Sequence, residues 1–163
     1  MYRGKFLMSG MDASDVFSVR AAIPEFQGAG KDEYDEMAVY AVIYDEEDIP
    51  CGCGRLFIGK DSRFHIDTLG VLPSHRRRFV GDLLARMLLY RAQDLNAGSV
   101  WIAAPNETCV FFSRYGFITE GEEAVCFGQK AVVMHVDGDR ISLEGTCSCG
   151  HDGACKGNCA DCH

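Results

Sequence analysis

The sequence lacks the features that mark membrane, secreted and nucleic-acid-binding proteins. No apolar run approaches the roughly 18 residues of a membrane helix, and no apolar secretion segment lies near the N-terminus. Positive charge is also scarce: 16 lysines and arginines stand against 24 acidic residues, a net charge of −8. This balance argues against nucleic acid and anionic membranes as partners. We expect a cytoplasmic protein, and its 163 residues suit one domain with a substantial core.

A strand, a turn and a helix in the middle of the chain organise the rest. Apolar and β-branched residues predict a strand over residues 64–71, which Pro73 ends. Apolar residues at helical spacing then predict a helix from Arg76 to near Gly98. The start of a helix leaves backbone N–H groups unpaired, which favours an anion. Three arginines at this point, Arg76, Arg77 and Arg78, suit phosphate, although solvated arginines are the plainer interpretation.

Two motifs carry a resemblance to a known family. Residues 71–84, V-L-P-S-H-R-R-R-F-V-G-D-L-L, resemble the acetyl-CoA-binding motif of the GCN5-related N-acetyltransferase (GNAT) family, with Arg76 and Gly81 in place and Phe79 where a glycine is expected. Residues 106–117, N-E-T-C-V-F-F-S-R-Y-G-F, resemble the family's second motif. The resemblance implies an α/β (α+β) GNAT fold. In this fold, helices flank a central, mostly antiparallel mixed sheet that is splayed at its central strands.

The resemblance also implies a reaction and a cosubstrate site. The reaction is transfer of acetyl from acetyl-CoA to a primary amine of a small molecule or peptide, by direct attack in a ternary complex. Gly70 is predicted to form a strand bulge that frees a backbone amide for the acetyl oxygen. Asn106 either contacts the cosubstrate or caps its helix. The implied acetyl-CoA contacts are Leu69, Gly70, Val71, Arg76, Arg77, Arg78, Phe79, Val80, Gly81, Asn106 and Phe112.

The predicted strand over residues 64–71 carries two candidates for a general base. Strict alternation places His65, Asp67 and Leu69 on one face. An ammonium has no lone pair with which to attack a thioester, so a nearby carboxylate or imidazole accelerates transfer. Asp67 falls where many relatives resembling this chain carry a glutamate base, and His65 is the second candidate. The plainer alternatives are that Asp67 binds a neighbouring loop and that His65 is a satisfied surface residue.

The general acid and the acceptor side are less well defined. The family's tyrosine, held to protonate the leaving thiolate, is Phe112 here. Tyr115 follows three residues later on nearly the same helix face and is the predicted substitute, with water as the alternative. The acidic stretch K-D-E-Y-D-E, residues 31–36, resembles an acceptor-side element of a bacterial subgroup of the family. Its acidic side chains either attract an amine or form a solvated loop.

The cysteines divide the chain into two parts. The GNAT domain is predicted over residues 1–137, and a cysteine-rich tail over residues 138–163 contains five of the nine cysteines. The tail has few large apolar residues, so it orders only by binding something or by cross-linking. Soft metal ions suit such thiols, and a disordered tail with incidental thiols is the alternative. The predicted ligands of zinc or an iron–sulfur cluster are Cys149, Cys155, Cys159 and Cys162.

Other functions stay open at this stage. The departures at Phe79 and Phe112, with the cysteine-rich tail, also suit a CoA-binding or metal- and redox-sensing regulatory protein whose transferase chemistry has lapsed. A third hypothesis is a metal-trafficking protein that uses the fold only as a scaffold. The sequence does not identify the amine acceptor, and it leaves both a monomer and a homodimer open.

Overall fold

The computed structural model describes residues 1–26 and 29–144, which form a seven-stranded sheet. The strand order is β1-β2-β3-β4-β5-β7-β6, and only the β4–β5 pair is parallel. This confirms the prediction of a mixed, mostly antiparallel sheet. The strands are β1 Arg3–Leu7, β2 Val39–Tyr44, β3 Pro50–Ile58, β4 Phe64–Val71, β5 Ser99–Pro105, β6 Ile118–Cys126 and β7 Gln129–Asp137.

Helices cover both faces of this sheet because each helix has one apolar side. Helix α1, Ser14–Ala22, buries Val16 and Val19 against one face, together with Tyr40, Val42 and Cys53. Helix α2, Val80–Asp94, packs its apolar side on the opposite face. The short helix α3, Cys109–Ser113, lies on that same side and contributes Phe112 to its core. The fold is therefore two helical layers around one sheet.

The two cores separate the neighbouring cysteines of β3. Cys51 belongs to the core under α2, and Cys53 belongs to the core under α1. The two thiols separate because successive side chains of a strand point to opposite faces. Burial raises the pKa of both thiols, to about 11 for Cys51 and about 12 for Cys53. Such thiols stay protonated near neutral pH and are poor nucleophiles or metal ligands.

The sheet opens between its two central parallel strands. Strands β4 and β5 pair only at Phe64 with Val100 and at His65 with Trp101. Beyond that point the rest of β4, up to Val71, has no partner on its β5 side among the described residues. The predicted splay is therefore confirmed, and it leaves a notch between the carboxyl ends of β4 and β5.

A bulge lies in β4 beside this notch, but not at the predicted residue. Asp67 pairs with Arg55 and Gly70 pairs with Cys53, so Thr68 and Leu69 together oppose one residue of β3. Thr68 has a φ of 45°, in the left-handed region. The prediction of a bulge at Gly70 is wrong, because packing against β3 places the extra residue two positions earlier.

The bulge also changes which side chains share a face of β4. Ile66 and Leu69, three residues apart, both pack toward α2, whereas strict alternation would separate them. Asp67 pairs with Arg55 on the α1 side. The prediction that Leu69 shares a face with His65 and Asp67 is therefore wrong. Asp67 and the bulge lie in the part of β4 beyond His65, which has no β5 partner in the part of the chain that the structure describes, so both border the notch.

The chain between β4 and α2 is a loop rather than the start of a helix. A 3₁₀ turn spans Pro73–His75, Arg76 is extended, and α2 begins only at Val80. The prediction of a helix from Arg76 is wrong by four residues. Arg77 and Phe79 have φ values of 61° and 63°, and these left-handed residues redirect the chain in a way that a continuous helix does not allow.

The last described residues extend the packed part of the chain beyond β7. Strands β6 and β7 are joined at Phe127 and Gly128, both with positive φ, as two-residue hairpin turns require. After β7, Ile141 and Leu143 pack against the core under α2. Across the described ranges 1–26 and 29–144, no helix is long and apolar enough to cross a membrane.

Candidate active site

The loop that leads into α2 presents its three arginines to solvent beside the helix start. Arg76 is held by three hydrogen bonds: its Nε donates to the Val71 carbonyl at 3.0 Å, and its two terminal nitrogens donate to Glu25 at 2.9 and 2.7 Å. The bonds from Arg76 lower the pKa of the Glu25 carboxyl. Arg77 and Arg78 are exposed. The predicted phosphate ligands therefore lie together at the open end of the notch.

Phe79 has a left-handed backbone conformation, which glycine adopts more readily than phenylalanine. It precedes the first helical residue, with a φ of 63° and a ψ of 12°, and its side chain supplies no cap hydrogen bond to the helix. The residue is 58% exposed, so the ring does not fill the loop. A phenylalanine at this position is thus compatible with an anion-binding site at the helix start, although its backbone is strained.

This strain gives a direct prediction for stability. Replacing Phe79 with glycine is expected to raise the free energy of unfolding by about 1 kcal/mol, because glycine adopts the left-handed region without a clash of its Cβ. Urea denaturation followed by circular dichroism measures the change. The matched control is Arg78→Gly in the same loop, since Arg78 lies outside the left-handed region. That substitution is expected to destabilise the protein, and equal effects of the two would contradict the strain argument.

Asp67 is paired with a buried arginine rather than free in the notch. Arg55 donates from Nε to one carboxylate oxygen of Asp67 at 2.7 Å and from Nη2 to the other at 2.6 Å. The Arg55 side chain is only 4% exposed, whereas that of Asp67 is 36% exposed. The carboxylate is therefore held in one orientation and still open to an incoming molecule.

Arg55 also connects Asp67 to the segment that precedes β2. Its Nη1 lies 2.6 Å from Asp32 and 3.1 Å from Asp35, and its Nη2 lies 3.1 Å from Asp32. Asp32 caps the 3₁₀ segment Glu33–Glu36. Although burial alone lowers the pKa of Arg55, the hydrogen bonds that it donates to Asp67 and Asp32 raise this pKa well above its usual range. Arg55 thus stays charged and fixes three carboxylates around itself.

A second buried arginine completes this charged cluster. Arg20 of α1 is 2% exposed and lies 3.4 Å from Asp35, and the Tyr40 hydroxyl donates to Asp35 at 2.5 Å. Burial raises the pKa of Asp35, but hydrogen bonds from Tyr40, the Asp32 backbone and Arg20 outweigh it and lower the pKa to about 2. Arg20 and Arg55 face three aspartates, so the cluster has one excess negative charge.

The acidic side chains before β2 therefore fall into two groups, one buried in the charged cluster and one exposed to solvent. Asp35 is buried in the cluster. Glu33 is exposed and pairs with Lys60 at 3.0 Å, and Glu36 is exposed. Asp32 is half-exposed beside Arg55. Of the residues that could attract an amine, Asp32 and Asp67 combine exposure with a fixed position.

His65 lies on the same side of the sheet as Asp67 but has partners of its own. Its Nε2 lies 2.9 Å from one carboxylate oxygen of Asp61, and its ring stacks on Phe57 with centroids 5.4 Å apart. The hydrogen bond from His65 lowers the pKa of Asp61. His65 also sits where β4 and β5 are still paired. His65 therefore lies outside the unpaired part of β4, whereas Asp67 lies within it.

Other predicted cosubstrate residues lie on β4, directly after β5 and on α3. Leu69 and Val71 pack toward α2, while Gly70 faces α1. Asn106 begins a 3₁₀ turn directly after β5. Phe112 on α3 is 9% exposed and packs edge-on against Phe117, with centroids 5.7 Å apart. Phe112 therefore contributes an apolar surface and no proton.

Tyr115 is enclosed, which argues against the predicted role as general acid. The residue has no exposed surface, and its hydroxyl donates to Asp82 on α2. Burial, followed by the bond to Asp82, raises its pKa well above the usual range. Its proton is directed at a carboxylate and not at the notch. The geometry gives Tyr115 a structural role, because it joins the end of α3 to the first turn of α2.

Comparison with known proteins decides the family. The sequence matches the Acetyltransferase (GNAT) family over residues 13–117. The chain belongs to this family. The match includes the loop before α2, Asp67 and the α3 motif, so these parts of the site lie within the residues that match the family.

Solved structures agree with the GNAT fold. An acyl-CoA N-acyltransferase from Pseudomonas aeruginosa superposes with a TM-score of 0.71 at 14% identity, covering 83% of this chain and 99% of that one. Escherichia coli ElaA gives 0.70 at 18% identity, covering 84% and 100%. FeeM, an N-acyl amino acid synthase from uncultured soil microbes, gives 0.69 at 14%, covering 85% and 92%. At these identities the likeness concerns the fold alone.

Among the described residues, the thiols are not grouped in a way that would hold a metal ion. Across residues 1–26 and 29–144, no three histidine, cysteine or acidic side chains are grouped to hold a metal ion. The Cys109 thiol is partly buried and lies 3.8 Å from the Pro105 carbonyl. The predicted ligands Cys149, Cys155, Cys159 and Cys162 lie outside the described residues, as does the tail beyond residue 144.

Sequence reasoning missed two parts of this GNAT site. Arg55, which positions Asp67, stands in the apolar strand sequence C-G-C-G-R-L-F-I, and a lone arginine in such a strand is the signal that could have found it. The second part is the contact between Phe26 and Phe127, whose ring centroids are 5.1 Å apart. These aromatic residues are about a hundred positions apart in the chain, and no local pattern connects them.

Proposed function

We propose that this GNAT protein is an acetyl-CoA-dependent N-acetyltransferase that acts on a primary amine of a small molecule or peptide. Family membership supports acyl transfer from an acyl-CoA. The observation that carries the proposal is the notch between β4 and β5, bordered by a fixed, half-exposed aspartate and by the arginine-bearing loop that leads into α2. To this acyl transfer we add two specific features: the acyl group is acetyl, and the acceptor atom is nitrogen.

Acetyl-CoA fits the notch with its phosphates at the α2 end. The backbone of residues 76–81 and the side chains of Arg76, Arg77 and Arg78 would hold the pyrophosphate, because backbone amides and guanidinium groups both suit phosphate oxygens. The backbone of Leu69, Gly70 and Val71 would bind the pantetheine arm and the acetyl oxygen, with Asn106 and Phe112 on the opposite wall. The net negative charge of the chain does not prevent phosphate binding, because the three arginines and the backbone amides form a locally positive site.

In this proposal Asp67 is the general base and transfer is direct. The ammonium of the acceptor loses a proton to Asp67, directly or through a water molecule, and the neutral nitrogen attacks the thioester carbon. A C–N bond forms, the C–S bond breaks with its electron pair leaving on the CoA thiolate, and the attacking nitrogen gives its second proton to water, which leaves a neutral amide. His65 is the second candidate for the base, but its partner Asp61 lies on the far side from the notch opening.

We infer that the leaving thiolate takes its proton from water. Phe112 has no proton to give, and the Tyr115 hydroxyl is bonded to Asp82. A thiol with a pKa of about 8.5 is a moderate leaving group that needs less help than an alkoxide. Tyr115 is retained as the alternative acid, which would require its hydroxyl to leave Asp82.

Calorimetric titration with acetyl-CoA tests the cosubstrate site. We expect micromolar binding to protein whose zinc and iron content has been measured, and about tenfold weaker binding for Arg76→Ala, because a charge-assisted contact to phosphate is lost. The matched control is Arg3→Ala, another exposed arginine in an ion pair, at the far edge of the sheet. No binding by the unmodified protein, or equal loss in both variants, would contradict the proposed site.

A second candidate function is CoA binding without transfer. The enclosure of Tyr115 and the phenylalanine at position 112 favour it, because neither residue offers a hydroxyl proton to the notch. The two candidates differ in turnover: a regulatory protein binds acetyl-CoA and releases no free thiol in the presence of amines. Metal binding by the cysteine-rich tail and a cytoplasmic location stay predictions from the sequence.

A further inference from the structure

Two phenylalanines border the notch on the α1 side of the sheet. Phe26, in the 3₁₀ segment Pro24–Phe26, lies directly over Gly70 of β4, since a Cβ at Gly70 would come within 2.7 Å of its ring. Phe127, in the turn between β6 and β7, packs against Phe26 with ring centroids 5.1 Å apart. The pair therefore spans the opening from β4 to the far hairpin, with Phe127 still 39% exposed.

Charged and apolar surfaces meet at this opening. Asp67 lies on the same face of β4 as Gly70, on which Phe26 rests. Because Phe127 packs on Phe26 and Phe26 lies over Gly70, the turn between β6 and β7 lies close to β4. An approaching acceptor thus meets a carboxylate and an aromatic surface together.

We propose that the acceptor is a primary amine carried on an apolar, ring-sized group, with its ammonium at Asp67 and its apolar group against Phe26 and Phe127. This inference rests on the proposed function and adds the substrate class. An aromatic pair that is partly exposed gains contact area when an apolar group covers it, whereas a small polar amine leaves it in water. The excess negative charge of the Asp32, Asp35 and Asp67 cluster attracts the ammonium end.

A comparison of two amines of similar basicity tests the inference. We expect kcat/KM with acetyl-CoA to be about 10- to 100-fold higher for benzylamine than for ethanolamine, since a covered ring contributes differences of this order. In Phe127→Ala this ratio is expected to fall at least about fivefold, mainly through a higher KM for benzylamine. Phe127→Leu, which keeps an apolar side chain, is expected to retain most of the ratio.

The control variant and the outcomes separate the inference from the proposed function. Val125→Ala changes a 75% exposed apolar residue of the same hairpin and is expected to leave the ratio unchanged. A preference for ethanolamine, or a ratio that Phe127→Ala does not change, overturns the inference alone. If acetyl-CoA binds and neither these amines nor a lysine peptide are acetylated, the proposed transferase function fails and the inference fails with it.

Discussion

Replacing Asp67 with asparagine is expected to lower kcat for amine acetylation by about 10²- to 10⁴-fold, the usual contribution of a general base. Asparagine keeps the size of the side chain and can still accept a bond from Arg55, but it cannot take a proton. The half-exposed position of Asp67 at the notch is the reason to expect this effect there. Release of CoA thiol, followed at saturating amine, measures it.

The pH dependence gives the Asp67 prediction a second readout. A base is needed because the acceptor is an ammonium ion below its own pKa, near 10 for an alkylamine. As the pH rises toward that value, a growing fraction of the amine is already neutral. The deficit of Asp67→Asn is therefore expected to shrink from pH 7 to pH 9.5. A deficit that stays constant would mean that Asp67 acts by positioning and not by accepting the proton.

Two further variants distinguish Asp67 from the alternative base. Asp61 is also a half-exposed aspartate, bonded to His65 and not to Arg55. Asp61→Asn and His65→Gln are expected to change kcat by less than about threefold. A large loss in His65→Gln with a small loss in Asp67→Asn would assign the base to His65 instead.

The elements of the fold were largely predictable because they depend on local patterns. The strand at Phe64–Val71 and the amphipathic α2 follow from the spacing of apolar residues, and the two motifs indicated the splayed sheet between them. The loop before α2 was not predictable in this way. Its arginines have good helix propensity, and no local pattern marks the left-handed φ of Arg77 and Phe79.

The bulge shows the same limit within a strand. Glycine is the usual residue for irregular backbone, so the sequence favours Gly70, yet the positive φ falls on Thr68. Gly70 serves a different purpose, since its missing side chain makes room for Phe26 and Ile23. Only the contacts of the folded chain separate these two uses of a glycine.

The charged cluster could not be predicted because its members come from distant segments. Asp32 and Asp35 precede β2, Arg55 lies on β3, and Asp67 lies on β4. From the sequence, Asp35 is one residue of an acidic stretch and Asp67 is one residue of a strand. Their common partner Arg55 becomes evident only when the three segments are side by side.

Replacing Arg55 with methionine is expected to lower the free energy of unfolding by about 3–5 kcal/mol at pH 7, as removal of one partner from a buried ion pair does. The side chains of Arg55 and Asp35 are 4% and 6% exposed, so the remaining carboxylate has little water to replace its partner. The same variant releases Asp67 and is expected to reduce acetylation as well. Urea denaturation at pH 7 measures the stability change. Arg3→Met removes an exposed ion pair with Asp48 and is expected to cost less than about 1 kcal/mol.

The pH dependence of this loss identifies its electrostatic origin. In the intact cluster the pKa of Asp35 is lowered from 3.8 to about 2, so its ionised form stabilises the fold above pH 4, and this contribution is lost as the pH falls through about 2. Without Arg55, the clustered carboxylates repel one another and bind protons at a higher pH than before. Protonation relieves that repulsion, so the deficit of Arg55→Met relative to the unmodified protein is expected to be smaller at pH 4 than at pH 7. An equal deficit at both pH values would assign the loss to packing of the arginine side chain and not to its charge.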